Sequence, residues 1–156
     1  MEMSFQIILQ GGNMAKVAII YDSATHNTEM MAKAIAEGIK SEGLSVKLTH
    51  VHEARIEEIK GIDGLVLGSG TYHHEIMPTL EVFIDQAKDV NLRGKVGAAF
   101  CSYGWSPEVV DLISNRLKGY GMDTMEGLLI HEKPDEAGLE KCREFGKNIA
   151  KKIKGE

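Results

Sequence analysis

The sequence predicts an α/β domain in which a parallel sheet is covered by helices on both faces. Three observations carry that expectation. Short apolar runs at 17–21, 64–69 and 95–101 have the β-branched and glycine-spaced character of buried strands. Each is followed by an amphipathic helical pattern at a spacing that suits right-handed crossovers. The turns after the first, third and fourth strands are rich in Ser, Thr, Gly and aromatics, whereas the turns at the opposite edge are plain. That asymmetry is expected where ligands bind beyond the carboxyl ends of the strands, at a topological switch point.

A chain of 156 residues is long enough for one domain with a substantial core, burying about 70% of its unfolded surface. Its 43% hydrophobic and 26% charged content is that of an ordinary globular protein. The net charge of −5 argues against nucleic acid as a partner, because a phosphate backbone requires a basic face. No apolar run approaches the roughly 20 residues of a membrane span, so no membrane association is expected. No secretory signal pattern opens the chain, which makes a cytoplasmic location the default. Cys101 and Cys142 fall in a strand pattern and a helix pattern; they read as buried small hydrophobes in a reducing compartment.

Residues 1–13, MEMSFQIILQGGN, stand apart from the pattern that follows. They read either as an extra arm packed on the domain or as a translated leader ahead of a start at Met14, and the second reading is favoured. Strand one then runs into Asp22-Ser23-Ala24-Thr25-His26-Asn27-Thr28. A helix follows over 28–42, with Met31, Ile35 and Ile39 on one stripe and Gly43 as its stop. Alternation over 45–51 suggests a strand near a sheet edge, and 52–60 a short, weak helix. Strand three, 64–69, leads into a second glycine-rich loop, 70–75. Pro78 opens a helix that buries Leu80, Phe83 and Ile84. Strand four, 95–101, ends in Ser102-Tyr103-Gly104-Trp105-Ser106-Pro107, with Ser106 as N-cap and Pro107 as first residue of the next helix. A short fifth strand covers 127–130. The last helix, 135–154, turns Leu139, Cys142, Phe145, Ile149 and Ile153 inward and leaves Lys141, Arg143, Lys147, Lys151 and Lys152 in solvent.

A strand feeding a hydroxyl-rich turn that opens a helix has the makings of a phosphate cradle. Free backbone N–H groups and the positive end of the helix dipole point at whatever sits above the turn. No Lys or Arg lies in the first loop, so a phosphate here would be held by oriented dipoles and hydrogen bonds. The loop lacks the Gly-Lys-Ser/Thr ending of a Walker loop and the GxGxxG of a dinucleotide site. Taken alone, the same residues also serve as plain helix caps. Tyr72 and Trp105 tip the balance: both lie on the ligand edge, and a flat heteroaromatic ring between them gains roughly 1 kcal/mol apiece beyond burial. No third ligand at useful spacing accompanies His73 and His74, so no metal is expected there.

Together, the strand–SATHNT–helix segment, GSGTYHHEIMP and SYGWSPE resemble the flavodoxins. They look most like the flavodoxin domain of the A-type flavoproteins (flavo-diiron proteins), without the di-iron domain. The resemblance covers residues 14–156 and implies a flavodoxin-like three-layer sandwich whose five-stranded parallel sheet has the order 2-1-3-4-5. It implies noncovalent FMN and electron transfer, through the exposed edge of the ring, between a reductase and an acceptor protein. Ser23, Ala24, Thr25, His26, Asn27 and Thr28 would form the phosphate loop. Ser69, Gly70, Thr71, Tyr72, His73 and His74 would line one side of the ring, and Cys101, Ser102, Tyr103, Gly104 and Trp105 the other.

Two departures from the family pattern stand out. His26 replaces a usual glycine, which would reshape the turn or place a titratable ring near the phosphate, with FMN affinity weakening as pH rises. Tyr72-His73-His74 replaces a loop that usually has glycine, and a non-glycine residue resists positive φ. Near two-electron behaviour of the flavin is the consequence expected. A competing function is an FMN-dependent NAD(P)H oxidoreductase acting on quinone, metal or oxygen; the absence of an obvious second dinucleotide site disfavours it. A signalling receiver would need an acidic cluster after strands one and three, and Asp22 is a lone acid there.

Overall fold

The computed structural model describes residues 15–156 apart from 24, 25, 73 and 105, with the backbone alone of Tyr72. The separate N-terminal segment read over 1–13 lies outside the described residues. Strand β1 (Lys16–Asp22) leads to helix α1 (Asn27–Ser41) and edge strand β2 (Ser45–His50). Two 3₁₀ turns, Val51–Glu53 and Ile56–Ile59, precede β3 (Gly64–Ser69). A small antiparallel hairpin, β4 (Thr71–Tyr72) and β5 (Glu75–Ile76), is followed by α2 (Pro78–Gln86). Then come β6 (Val96–Tyr103), α3 (Val109–Gly119), β7 (Asp123–Thr124), β8 (Leu128–His131) and α4 (Glu136–Lys154).

The main sheet is parallel throughout, in the order β2-β1-β3-β6-β7, with β8 also paired to β6. β7 pairs with the start of β6 (Val96↔Asp123) and β8 with its end (Tyr103↔His131). The two short strands therefore share the fifth position, and the order 2-1-3-4-5 holds for the five positions.

Strand periodicity divides the core into two layers. Val17, Ile19, Tyr21, Val66, Ala98 and Phe100 face α1 and α4, meeting Met31, Ile35, Ile39, Cys142, Phe145 and Ile149. Ala18, Ile20, Leu65, Leu67, Ala99 and Cys101 face α2 and α3, meeting Leu80, Phe83, Ile84, Val109, Ile113 and Leu117. The two cysteines occupy opposite layers, both buried and free. Burial pushes each thiol up to about 12, so both are chemically quiet.

Helices α1 and α4 pack backbone to backbone through two glycines. A β-carbon on Gly38 would stand 2.0 Å from the Arg143 carbonyl oxygen, and one on Gly146 2.2 Å from that of Ile35. Arg143 closes the rim of this contact by donating to Glu37, Glu136 and Glu140. Asp135 caps α4 by accepting the Gly138 N–H at 2.7 Å.

Four elements differ from the sequence expectation. The stretch 52–60 makes 3₁₀ turns in place of one helix. β6 runs two residues past Cys101, because Ser102 and Tyr103 keep pairing with Ile130 and His131. The second loop is folded into the β4–β5 hairpin. Helix α3 starts at Val109, not Pro107, and Ser106 does not cap it: its hydroxyl meets the His74 Nδ1 at 2.5 Å.

Candidate functional site

The carboxyl ends of β1, β3 and β6 converge on one cleft of about 180 Å3. Asn27 and Thr28 line it from the first loop, Gly70, Thr71 and Met77 from the second, and Ser102, Tyr103 and Gly104 from the third. Glu132, just past β8, closes the far side. This is below the roughly 300–1,000 Å3 of pockets that engulf a drug-sized ligand. A tricyclic ligand would lie across the rim with an edge outside.

The first loop presents unpaired donors. Residues Asn27 to Glu29 form the first turn of α1, whose first backbone bond runs from the Met30 N–H to the His26 carbonyl at 3.0 Å. The N–H groups ahead of Met30 therefore have no intrahelical acceptor. Ser23 adds the decisive feature: its Oγ is buried and has no hydrogen-bond partner among the described residues. A buried hydroxyl left unsatisfied costs about 1–3 kcal/mol, so it marks a position where a partner belongs. Among the described residues lining the cleft there is no Lys or Arg. The donors are thus neutral hydroxyls, amides and helix N–H groups, a set that fits a phosphate dianion held by dipoles.

His26 takes a left-handed backbone, φ 68°, at the N-cap of α1. The turn thus keeps a glycine-like conformation with a histidine in place. The His26 side chain is 83% exposed, and its Nδ1 meets Glu29 Oε1 at 2.8 Å. This hydrogen bond, with smaller help from Lys33, holds the Glu29 carboxyl below its ordinary range. A group whose folded pKa is depressed contributes stability above its unfolded value and loses it as pH falls through the folded one. Glu29→Gln is therefore expected to be less stable than the parent at neutral pH, with the difference shrinking as pH falls through the acid range and the carboxyl protonates. Urea unfolding at neutral and at acid pH checks this.

The second and third loops are clasped together. His74, also left-handed at φ 65°, meets Ser106 Oγ at 2.5 Å and Glu108 Oε1 at 3.1 Å. A hydrogen bond to its own backbone N–H, and then the one from His74, lower the Glu108 carboxyl. The expectation that a non-glycine residue resists positive φ in this loop is overturned at His74. Contacts from Ser106 and Glu108 support the unfavourable backbone there. Glu132, at φ 55°, is the third non-glycine residue of positive φ among the described residues. Its carbonyl accepts from Ser102 Oγ at 3.0 Å, and its N–H donates to the Tyr103 carbonyl at 2.8 Å. Of the three, Glu132 lines the cleft, while His26 precedes the lining residue Asn27 and His74 lies in the second loop.

Of the residues singled out from sequence, Asn27, Thr28, Gly70, Thr71, Ser102, Tyr103 and Gly104 meet at the cleft. Ser69 and Cys101 stand behind it. The fully buried Ser69 hydroxyl donates to the Gly70 carbonyl at 2.5 Å and accepts the Met77 N–H at 3.3 Å, which shapes the second loop from inside. The Cys101 thiol belongs to the α2–α3 core layer. Ala24, Thr25, His73, Trp105 and the Tyr72 side chain lie outside the described residues. Sequence reasoning missed Met77 and Glu132: an apolar residue before a proline and one acid among many carry no distinguishing signal.

Comparison with known proteins agrees with this geometry. The flavodoxin family profile matches residues 19–146. The chain is 34% identical over 142 residues to an anaerobic nitric oxide reductase flavorubredoxin of Pectobacterium carotovorum, a match that covers 87% of this chain and 28% of that one. The Aliivibrio salmonicida flavorubredoxin is 35% identical with the same coverage. The chain therefore spans under a third of the length of these relatives. Among solved structures, a flavodoxin from the domain Archaea superposes with a TM-score of 0.86 at 35% identity, covering 89% of this chain and 99% of that one. The rubredoxin oxygen:oxidoreductase of Desulfovibrio gigas gives 0.85 at 31% identity, covering 90% and 36%.

Proposed function

Because this chain belongs to the flavodoxin family, we propose that it is an FMN electron carrier that takes reducing equivalents from a reductase and hands them to an acceptor protein. Its cofactor is FMN. The Ser23 hydroxyl, buried and without a partner among the described residues in the turn that leads into α1, is the observation that carries the reading. The bound flavin supplies reversible redox chemistry, and the chain's own residues do the rest.

Ser23, Thr25, His26, Asn27 and Thr28 would hold the phosphate, their hydroxyls, amide and backbone N–H groups standing in for its hydration shell. Tyr72 and Trp105, the aromatic residues of the second and third loops in the sequence, would be the ones to stack on the ring system and keep water from its faces. The His74–Ser106–Glu108 clasp ties the second loop to the third, which would lower the cost of ordering them around a ligand. A shallow cleft that leaves one ring edge in solvent suits transfer to a docked protein. Among the described residues no helix is long and apolar enough to cross a membrane. Two buried free thiols fit a cytoplasmic setting.

The test is reconstitution. The FMN-loaded protein is expected to leave NAD(P)H unoxidised by itself and to carry electrons to cytochrome c once a nicotinamide-dependent flavodoxin reductase is added. Steady turnover with NAD(P)H alone would replace this reading with the FMN-dependent oxidoreductase. The similarity to flavorubredoxins named as nitric oxide reductases favours a second, narrower reading. In it, the acceptor is an oxygen- or nitric-oxide-reducing metal centre.

A further inference from the structure

We propose that Asp22, His50 and His52 form a binding site for a divalent transition-metal ion at the carboxyl ends of β1 and β2. One ligand atom from each of the three residues lies within 4.8 Å of the others, the one such group among the described residues. The proposal is independent of the flavin, since the three side chains do not line the FMN cleft.

The strand register assembles the group. β1 and β2 run in parallel with Tyr21 beside His50, so Asp22 projects at the end of the same pair of strands. His50 Nε2 stands 4.0 Å from Asp22 Oδ1. The 3₁₀ turn Val51–Glu53 then brings His52 back over His50, and their imidazoles stack with centroids 4.8 Å apart and planes 8° from parallel. Tyr21 meets the other side of His50 edge-on at 5.2 Å, which limits where that ring can go. The sequence signal is the His-x-His at the end of an edge strand, significant only once the fold places Asp22 beside it.

The chemistry selects the class of ion. Two imidazoles and one carboxylate are the donors preferred by zinc, nickel and copper, whereas calcium and magnesium require mostly oxygen. Zinc bonds of about 2.0–2.1 Å need donor atoms roughly 3.3 Å apart, so binding requires His50 to close on Asp22 from 4.0 Å and the exposed His52 to turn out of its stack on His50. Three protein ligands leave a fourth position to water. Asp22 is buried, His50 half-buried and His52 exposed, which gives an ion an open approach to an anchored carboxylate.

Binding has a structural consequence. In the metal-free protein the His52 N–H donates to His50 Nδ1 at 3.1 Å. Coordination through either nitrogen of His50 breaks that bond, directly or by moving the ring proton. The Asp22 carbonyl also accepts the Gly70 N–H at 3.2 Å, so an ion on Asp22 tethers the first and second loops at their roots.

Isothermal titration of the FMN-loaded full chain with zinc chloride tests the site. One tight equivalent is expected, accompanied by shifts of the His50 and His52 ring nitrogens in the NMR spectrum. His52→Ala and His50→Gln should each weaken it by about tenfold or more, while His131→Ala leaves it unchanged. Retained flavin absorption and far-UV circular dichroism verify folding. Should His50→Gln fail that check, the exposed His52→Ala and His52→Asn decide the matter. Absence of a tight equivalent, or one undiminished in the His52 variants, overturns the proposal. Either result leaves the FMN reading untouched, because flavin binding is scored separately in the same samples.

Discussion

Gly146→Ala is expected to lower the melting temperature by about 6–12 °C, for a loss of about 3 kcal/mol at roughly 2–4 °C per kcal/mol in a domain of this size. The added methyl would stand 2.2 Å from the Ile35 carbonyl oxygen and 3.0 Å from the Ile39 amide nitrogen. Both are helix backbone atoms, so no side-chain rotation relieves the contact. Alanine gains about 1 kcal/mol over glycine in a helix interior, which opposes the clash without cancelling it. Gly38→Ala should behave alike, since its methyl would lie 2.0 Å from the Arg143 carbonyl oxygen. The pair should be less than additive, because one substitution already separates the helices for the other. Gly119→Ala, at the end of α3 with nothing within 4 Å, supplies the control and should leave stability equal or slightly higher. Thermal unfolding by circular dichroism reads all four. An unchanged melting temperature for Gly146→Ala would show that α1 and α4 do not pack as described.

Ser23→Ala should do opposite things to the two forms of the protein. A hydrogen bond to a charged group is worth about 1.5–3 kcal/mol, so FMN affinity should fall by roughly 10- to 150-fold. The flavin-free protein should hold its stability or gain about 1 kcal/mol, because the substitution removes a buried hydroxyl that lacks a partner. Flavin fluorescence quenching measures the first effect and urea unfolding of the flavin-free protein the second. A merely structural serine would lower both together. Thr28→Ala gives a useful contrast: Thr28 is 1% exposed, so its loss should cost stability as well as affinity.

The sheet and its helices were legible because burial on both faces writes itself into sequence. Val17 to Tyr21 and Leu65 to Leu67 are continuous apolar runs, and Met31, Ile35 and Ile39 repeat at helical spacing; all are buried. Gly43 stops α1 with φ 90°, as its position suggests. What stayed hidden depends on pairing between distant segments. Ser102 and Tyr103 look like loop residues and become strand only because β8 arrives beside them. Ser69 looks like a ligand donor, but its hydroxyl faces the Met77 N–H across its own loop. Cys101 follows Ala99 at a spacing of two into the same core layer, a reading the strand period alone would have given. The left-handed backbones of His26 and His74 were only hinted at, since histidine tolerates that region more than most residues but seldom adopts it; their contacts with Glu29, Ser106 and Glu108 appear only in three dimensions.

The measurement that bears most directly on the whole account is a paired titration of the flavin-free protein with FMN and with riboflavin, followed by flavin fluorescence. The two ligands share the ring and the ribityl chain and differ only in the phosphate. If the first loop is a phosphate cradle, FMN binds one to one and at least about a hundredfold more tightly than riboflavin, the worth of two or more charge-assisted hydrogen bonds. Equal affinity for the two, or no binding of either, would contradict it.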